Sequence, residues 1–249
     1  MRIPRTSLPI VTLALGLLAF GALPADEAHA QTFPASVSVA TGSGPTNAVW
    51  ADFNGDGKLD FATSNYSGNS ISVLFGNGTG LYNSRTDYAT GSGANWLAAG
   101  DLNGDGRIDL VIANNLANTV SVLVNSGSGT FPTKTDLAVG ASPSAVALAD
   151  FNGDGKLDIA VTNNGSNTVS VLLGNGLGGF GPRLDLVTGT APYGIATGDV
   201  NGDGYSDIIV GADGYSNGQS EGGKFSRPMV KVGGGLGLNL MGLICTHSS

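Results

Sequence analysis

The sequence predicts an all-β fold assembled from repeats, and three observations predict it. An acidic stretch of nine residues recurs four times at a constant interval of 49. The segments between these stretches are short runs of apolar and β-branched residues. Turn residues, with 41 glycines among 249 residues, separate the runs without any collagen-like period.

The acidic stretches read DFNGDGKLD at 52–60, DLNGDGRID at 101–109, DFNGDGKLD at 150–158 and DVNGDGYSD at 199–207. Other positions keep the same beat. Asp87, Asp136 and Asp185 share one register, and Pro45, Pro143 and Pro192 another, with Ala94 in the missing slot. Such registers imply duplication of one structural unit.

Each element of the unit follows from residues 143–191. PSAVALADF alternates small and apolar residues and leads into the acidic stretch. LDIAVTNN leaves it as a β-branched run, NTVSVLLGN is a second apolar run, and FGPRLDLVTG alternates more weakly. That gives four short strands and no segment of helical period. Four strands in 40–50 residues is the size of a propeller blade. The expected architecture is a β-propeller-type array of about four blades of 49 residues, read as a partial propeller; a β-solenoid or a sandwich array is the alternative. Ala145, Ala147, Ala149 and Gly198 suit inner strands crowded near an axis.

Residues 1–30 read as a secretory signal peptide. Arg2 and Arg5 precede an apolar run from Leu8 to Leu23, and Ala28-His29-Ala30 places the cut after Ala30. The run is short for a bilayer and is followed by a cleavage site, and the apolar part of the tail is interrupted by glycines and short, so no transmembrane span is expected in the mature chain. Gln31 follows the cut, which argues against a lipoprotein. Secretion or display at the cell surface is the expected localisation. The repeats occupy 31–225. The tail at 226–249 matches nothing upstream and is expected to be poorly ordered. The reading at this stage is a truncated or frame-shifted remnant of a longer propeller, or an arc that self-associates through open blade edges.

Charge narrows the partners. The net charge is −8. Outside the leader there are 17 acidic residues, and 12 lie in the four repeated stretches. No basic footprint for nucleic acid exists. The histidines are His29, in the leader, and His247, near the end, so Ser-His-Asp and Cys-His catalysis are excluded. Carboxylates that recur in every unit argue for structure over catalysis, and no enzyme is expected. Cys245 is the only cysteine, so no internal disulfide braces the chain.

The acidic stretches suit a metal. Positions 1, 3, 5 and 9 are acidic or amide residues: Asp52, Asn54, Asp56 and Asp60; Asp101, Asn103, Asp105 and Asp109; Asp150, Asn152, Asp154 and Asp158; Asp199, Asn201, Asp203 and Asp207. Gly57, Gly106, Gly155 and Gly204 at position 6 permit the positive φ of a curling loop. Position 7, occupied by Lys58, Arg107, Lys156 and Tyr205, would offer only its backbone carbonyl, its side chain directed away. Carboxylates drawn together repel unless a cation sits among them. An all-oxygen set favours Ca²⁺ over Mg²⁺ or Zn²⁺, up to four ions per chain. An EF-hand would need a Glu at position 12 and flanking helices; Thr63, Ile112, Val161 and Val210 stand there instead.

The D-x-N-G-D-G-x-x-D loop followed by a strand resembles the FG-GAP repeats of integrin α-subunit propellers and the related VCBS repeats of secreted bacterial proteins. The fourth unit, GDVNGDGYSDIIVGADGYSNGQSEGG, is most similar to the integrin type. The resemblance implies a β-propeller, most often of seven blades, with Ca²⁺ in hairpin loops. It also implies a binding or adhesion module whose partner is an extracellular protein or a glycan. A lectin-like propeller is the alternative, and a fragment of a polysaccharide-degrading enzyme a more remote one. Trp96, beside an expected loop, is the candidate sugar platform; core packing is its alternative role.

Overall fold

The computed structural model describes residues 38–213. The expected leader and the 226–249 tail lie outside them.

The first sheet is a meander of Pro45–Ala51 (β1), Asp60–Asn65 (β2), Ser70–Gly76 (β3) and Tyr82–Ala89 (β4). The second joins Ala94–Gly100 (β5), Asp109–Asn114 (β6), Thr119–Val124 (β7) and Thr133–Ala138 (β8). The third joins Pro143–Ala149 (β9), Asp158–Asn163 (β10), Thr168–Leu172 (β11) and Leu184–Val187 (β12). Thr190–Gly198 (β13) and Asp207–Asp213 (β14) form the fourth. Every pairing is antiparallel. The protein is all-β, a partial β-propeller whose sheets do not close into a ring among the described residues.

Sequence decides which strands lie inside. β6 (DLVIAN) and β10 (DIAVTN) are buried at every residue, as apolar runs covered on both faces must be. β4 and β8 carry charged residues and stay largely exposed, so each meander runs outward from its first strand. The first strands pack side by side, β1 on β5, β5 on β9 and β9 on β13, where the small residues of β9 leave room for close approach. Polar atoms tie this seam. Thr46 and Ser64 both donate to Asn95 O at 2.6 Å, and Asn95 Nδ2 donates to Ser144 O at 3.2 Å.

Each interface between sheets is built from the same two faces. Phe53, Ala62, Ile71 and Val73 of the first sheet pack against Leu110, Ile112, Leu123 and Phe131 of the second. Leu102, Val111 and Val120 pack against Ile159, Val161 and Leu172. Phe151, Ala160 and Val169 pack against Ile208 and Val210. Every sheet thus has a forward face, toward the next unit, and a rear face, toward the one before. Burial of these side chains drives the stacking, because a single sheet leaves both apolar faces in water.

A repeated polar chain fixes the outer strand. Asn114 Nδ2 donates to Ser121 Oγ at 2.8 Å, and Ser121 Oγ donates to Asp136 Oδ1 at 2.6 Å. Lys134 Nζ lies 2.7 Å from Asp136 Oδ2. The sets Asn65–Ser72–Asp87 and Asn163–Ser170–Asp185 repeat the arrangement, with Arg85 and Arg183 as the cations. The hydrogen bonds from Arg85 hold the Asp87 carboxyl below its ordinary range. Ser121 Oγ also accepts Gly91 N–H at 3.1 Å. Ser121→Ala orphans that donor and is expected to cost about 1–3 kcal/mol, read as a lower urea midpoint at an unchanged slope.

Candidate metal centre

The four acidic stretches form the connections from β1 to β2, β5 to β6, β9 to β10 and β13 to β14. Their shared geometry comes from two glycines. Position 6 has φ of 80°, 81°, 79° and 88° at Gly57, Gly106, Gly155 and Gly204. Position 4 is left-handed as well, at 77°, 75°, 77° and 76° for Gly55, Gly104, Gly153 and Gly202. The second set was not foreseen, although glycine stands at position 4 in every copy. Side chains with a Cβ avoid this region at a cost of about 1–2 kcal/mol each.

The curl turns backbone N–H groups toward the first aspartate. Gly55 and Asp56 donate to Asp52 Oδ1 at 2.7 and 3.1 Å, and Gly57 donates to Oδ2 at 2.7 Å. Asp101, Asp150 and Asp199 are held alike. Burial raises the Asp101 carboxyl, but four backbone N–H groups more than offset it, and the net direction is downward. Position 3 accepts the N–H of position 5, and position 5 accepts that of position 7, so each is an Asx turn.

The ninth residue is different. Asp60, Asp109, Asp158 and Asp207 are fully buried. Asp109 Oδ2 accepts Leu102 N–H at 3.0 Å, and Oδ1 accepts Asn125 N–H at 2.8 Å. Asp60 and Asp158 bridge to Gly76 and Gly174 in the same way, at 2.9 and 2.7 Å. A Cβ on Gly174 would collide with the Leu157 carbonyl, so the bare glycine lets the third strand come this close. In the first three units the ninth aspartate therefore fastens its loop to the chain at or just past the end of the third strand. Burial pushes the carboxyls of Asp60, Asp109 and Asp158 up, and the other loop carboxylates add to the rise. An aspartate heading a wholly buried strand was the available signal for this anchor.

One expectation is corrected. The basic side chains at position 7 do not point away. Lys58 Nζ lies 3.1 Å from Asp56 Oδ2, Arg107 Nη1 2.9 Å from Asp105 Oδ2, and Lys156 Nζ 3.3 Å from Asp154 Oδ2. Two residues of curled backbone return the side chain to the carboxylate that its own N–H already contacts. For Asp56 the backbone and side chain of Lys58 are the leading causes that lower the carboxyl. Tyr205 takes this position in the fourth loop, and its ring packs against Gly153 of the third.

Carboxylate and amide oxygens at positions 1, 3, 5 and 9 are the donor chemistry of a hard cation. The upward push that loop carboxylates exert on Asp60, Asp109 and Asp158 is the repulsion such an ion would cancel. As they stand, no three acidic side chains among the described residues are gathered tightly enough to hold one. Positions 1 and 9 are engaged by backbone N–H groups, and position 5 in the first three loops is drawn to the basic side chain.

Trp96 is half-buried and packs against the core between the second and third sheets. Trp50 is the exposed indole, at 57%. Beside the second and third loops a groove is lined by Asp101, Lys156, Asn175 and Leu177, the last 81% exposed.

The FG-GAP-like repeat model matches residues 52–112, 101–161 and 150–210. The chain belongs to the FG-GAP-like repeat family. Each match runs from one acidic loop past the next, so the family's recurring unit is the loop and the strands that frame it. Comparison with curated proteins gives no match. Among solved structures the FG-GAP chain is similar to an Agrocybe aegerita lectin recognising non-reducing terminal N-acetylglucosamine. Identity is 23% and the TM-score 0.47, over 65% of this chain and 45% of that one. It is similar to the Vibrio cholerae biofilm matrix protein Bap1 at 25% identity and TM-score 0.40, over 68% and 28%. It is also similar to a Photorhabdus luminescens Tc holotoxin pore at 19% identity and TM-score 0.35, over 72% and 11%. The chain spans less than half the length of each of these structures. No helix among the described residues is long and apolar enough to cross a membrane.

Proposed function

We propose that this FG-GAP-like protein is a secreted, non-catalytic binding module whose acidic loops take up Ca²⁺. The observation that carries the reading is the fourfold loop: one carboxylate cradled by three or four N–H groups, a second at the loop tip, and a third buried at the anchor. Bound Ca²⁺ would supply positive charge where these carboxylates repel. Asp52, Asn54, Asp56, Asp60 and their equivalents, with the carbonyl of position 7, would hold it. The ligand, an extracellular protein or glycan, would be read by the loops around the groove at Asp101, Lys156 and Asn175. Fixing those loops is the ion's role, since no disulfide can do so.

Calorimetric titration of Ca²⁺ into chelator-dialysed chain tests the reading, and absence of binding overturns it. In the third loop Lys156 competes with the ion for Asp154. An exposed pair of this kind is weak, so Lys156→Gln is expected to tighten Ca²⁺ at that loop by no more than about fivefold. Weaker binding would mean that Lys156 does not oppose the ion.

A further inference from the structure

We infer that the rear face of the first sheet, centred on Trp50, is a docking seat for the fourth sheet of a second copy of this chain. The 49-residue register shows what this face is for. In the second sheet the equivalents of Phe61 and Tyr82 are Leu110 and Phe131, 0% and 4% exposed beneath the first sheet. In the third sheet Leu157 and Ile159 take the places of Leu59 and Phe61 and pack on the second. In the first sheet Leu59 and Tyr82 line an open depression with Trp50, Leu81 and Gly80. Trp50 is 57% exposed and Leu59 64%. Trp50 is set in place by its Nε1–H, which donates to Tyr82 Oη at 3.3 Å, and by Phe61, whose ring centroid is 5.4 Å away.

The matching plug is present at the other end of the repeat. Position 2 of each acidic loop inserts into the next sheet's rear face: Phe53, Leu102 and Phe151 are 2%, 2% and 0% exposed. The fourth occupant of that position is Val200, 45% exposed. The position-2 carbonyl is also engaged at the first two interfaces, by donors at different positions of the unit. Phe53 O accepts Asn125 Nδ2–H at 2.8 Å, and Leu102 O accepts Gly178 N–H at 3.2 Å. Gly80, between β3 and β4, holds the place that Gly178 holds in the third unit, and it lines the depression. Within the chain this face is covered each time by the forward face of a sheet of the same repeat, and among the described residues of the fourth sheet Val200 on that face is 45% exposed. The contact is head-to-tail, so it builds either a closed ring or a growing chain. It involves no metal and stands apart from the Ca²⁺ reading.

The test is sedimentation velocity on the full chain from about 1 to 100 μM, the range in which a micromolar contact fills. The wild type is expected to sediment as whole multiples of the chain mass, with Trp emission shifting to the blue as concentration rises. Trp50→Arg and Val200→Arg should each weaken assembly at least about tenfold, as central contacts do. An equimolar mixture of the two retains one intact seat and one intact plug, and should form a dimer that grows no further. Leu59→Arg, at a more exposed position, serves in place of Trp50→Arg if that variant does not fold by circular dichroism. A wild type that stays monomeric at the upper concentration overturns the proposal. So does a monomer whose Trp50 emission instead responds to chitotriose, which would give the seat to a glycan. Failure of the two variants to complement each other rules out the head-to-tail geometry.

Discussion

Stripping Ca²⁺ with EGTA is expected to lower the melting temperature of the chain more than any other single treatment. Extracellular oxygen-ligand sites bind at about 10⁻⁴ to 10⁻³ M, so about 10 mM Ca²⁺ is at least tenfold above the dissociation constant. Binding to the native state alone then contributes about 1.4 kcal/mol per loop at tenfold excess, and about 6 kcal/mol over four loops. A domain's whole stability is about 5–15 kcal/mol, so the ions would decide whether the blades stay stacked at body temperature. For a domain of this size about 1 kcal/mol moves the melting temperature by about 2–4 °C, which gives an expected difference of about 12–25 °C. Mg²⁺ at the same concentration should recover little of it, because Mg²⁺ gives up its water reluctantly. Scanning calorimetry in EGTA, Mg²⁺ and Ca²⁺ measures this directly, and equal melting temperatures in all three would remove the proposed role of Ca²⁺.

The second large effect is expected from Asp109→Ala. Its carboxylate is fully buried and accepts the N–H of Leu102 at 3.0 Å and that of Asn125 at 2.8 Å. Alanine leaves two buried donors without an acceptor, at about 1–3 kcal/mol each, so the loss is about 2–6 kcal/mol. Asp109→Asn keeps one carbonyl acceptor but sets an amide donor against the other N–H, so about half that loss is expected. Urea unfolding in EGTA isolates this anchoring role from any ion. Asp105→Ala is the contrast, since its partners, Arg107 N–H and Nη1 and Asn103 Nδ2, are exposed and can turn to water. It should be near neutral in EGTA. An Asp109→Ala loss no greater than that of Asp105→Ala would show that position 9 is not the fastener.

The strands were legible because the repeat printed its own alignment. PSAVALADF, LDIAVTNN and NTVSVLLGN recur in register with their neighbours, and they became β9, β10 and β11. Continuous burial of β6 and β10 was legible in their β-branched runs, and exposure of β8 in its Lys and Asp. The candidate loops were legible as residue types but not as roles. Position 9 reads as one more acidic residue, yet it is a buried anchor, because its partner N–H lies 16 residues downstream, at or just past the end of the third strand. Lys58, Arg107 and Lys156 read as side chains leaving the loop, yet loop curvature returns them to position 5. Trp50 and Trp96 are equivalent as residue types. Only the stacking of sheets buries one beneath a neighbour and leaves the other in solvent.

The sequence by itself determined the unit: its length, its four strands, its loop chemistry and the number of times it recurs. These are local properties, written in periodicity, turn residues and spacing, and they need no knowledge of distant contacts. Tertiary structure alone decided which carboxylate is buried and which apolar side chains are left exposed among the described residues. Those outcomes depend on residues 16 or more positions apart meeting in space, and burial is a property of that meeting rather than of either residue.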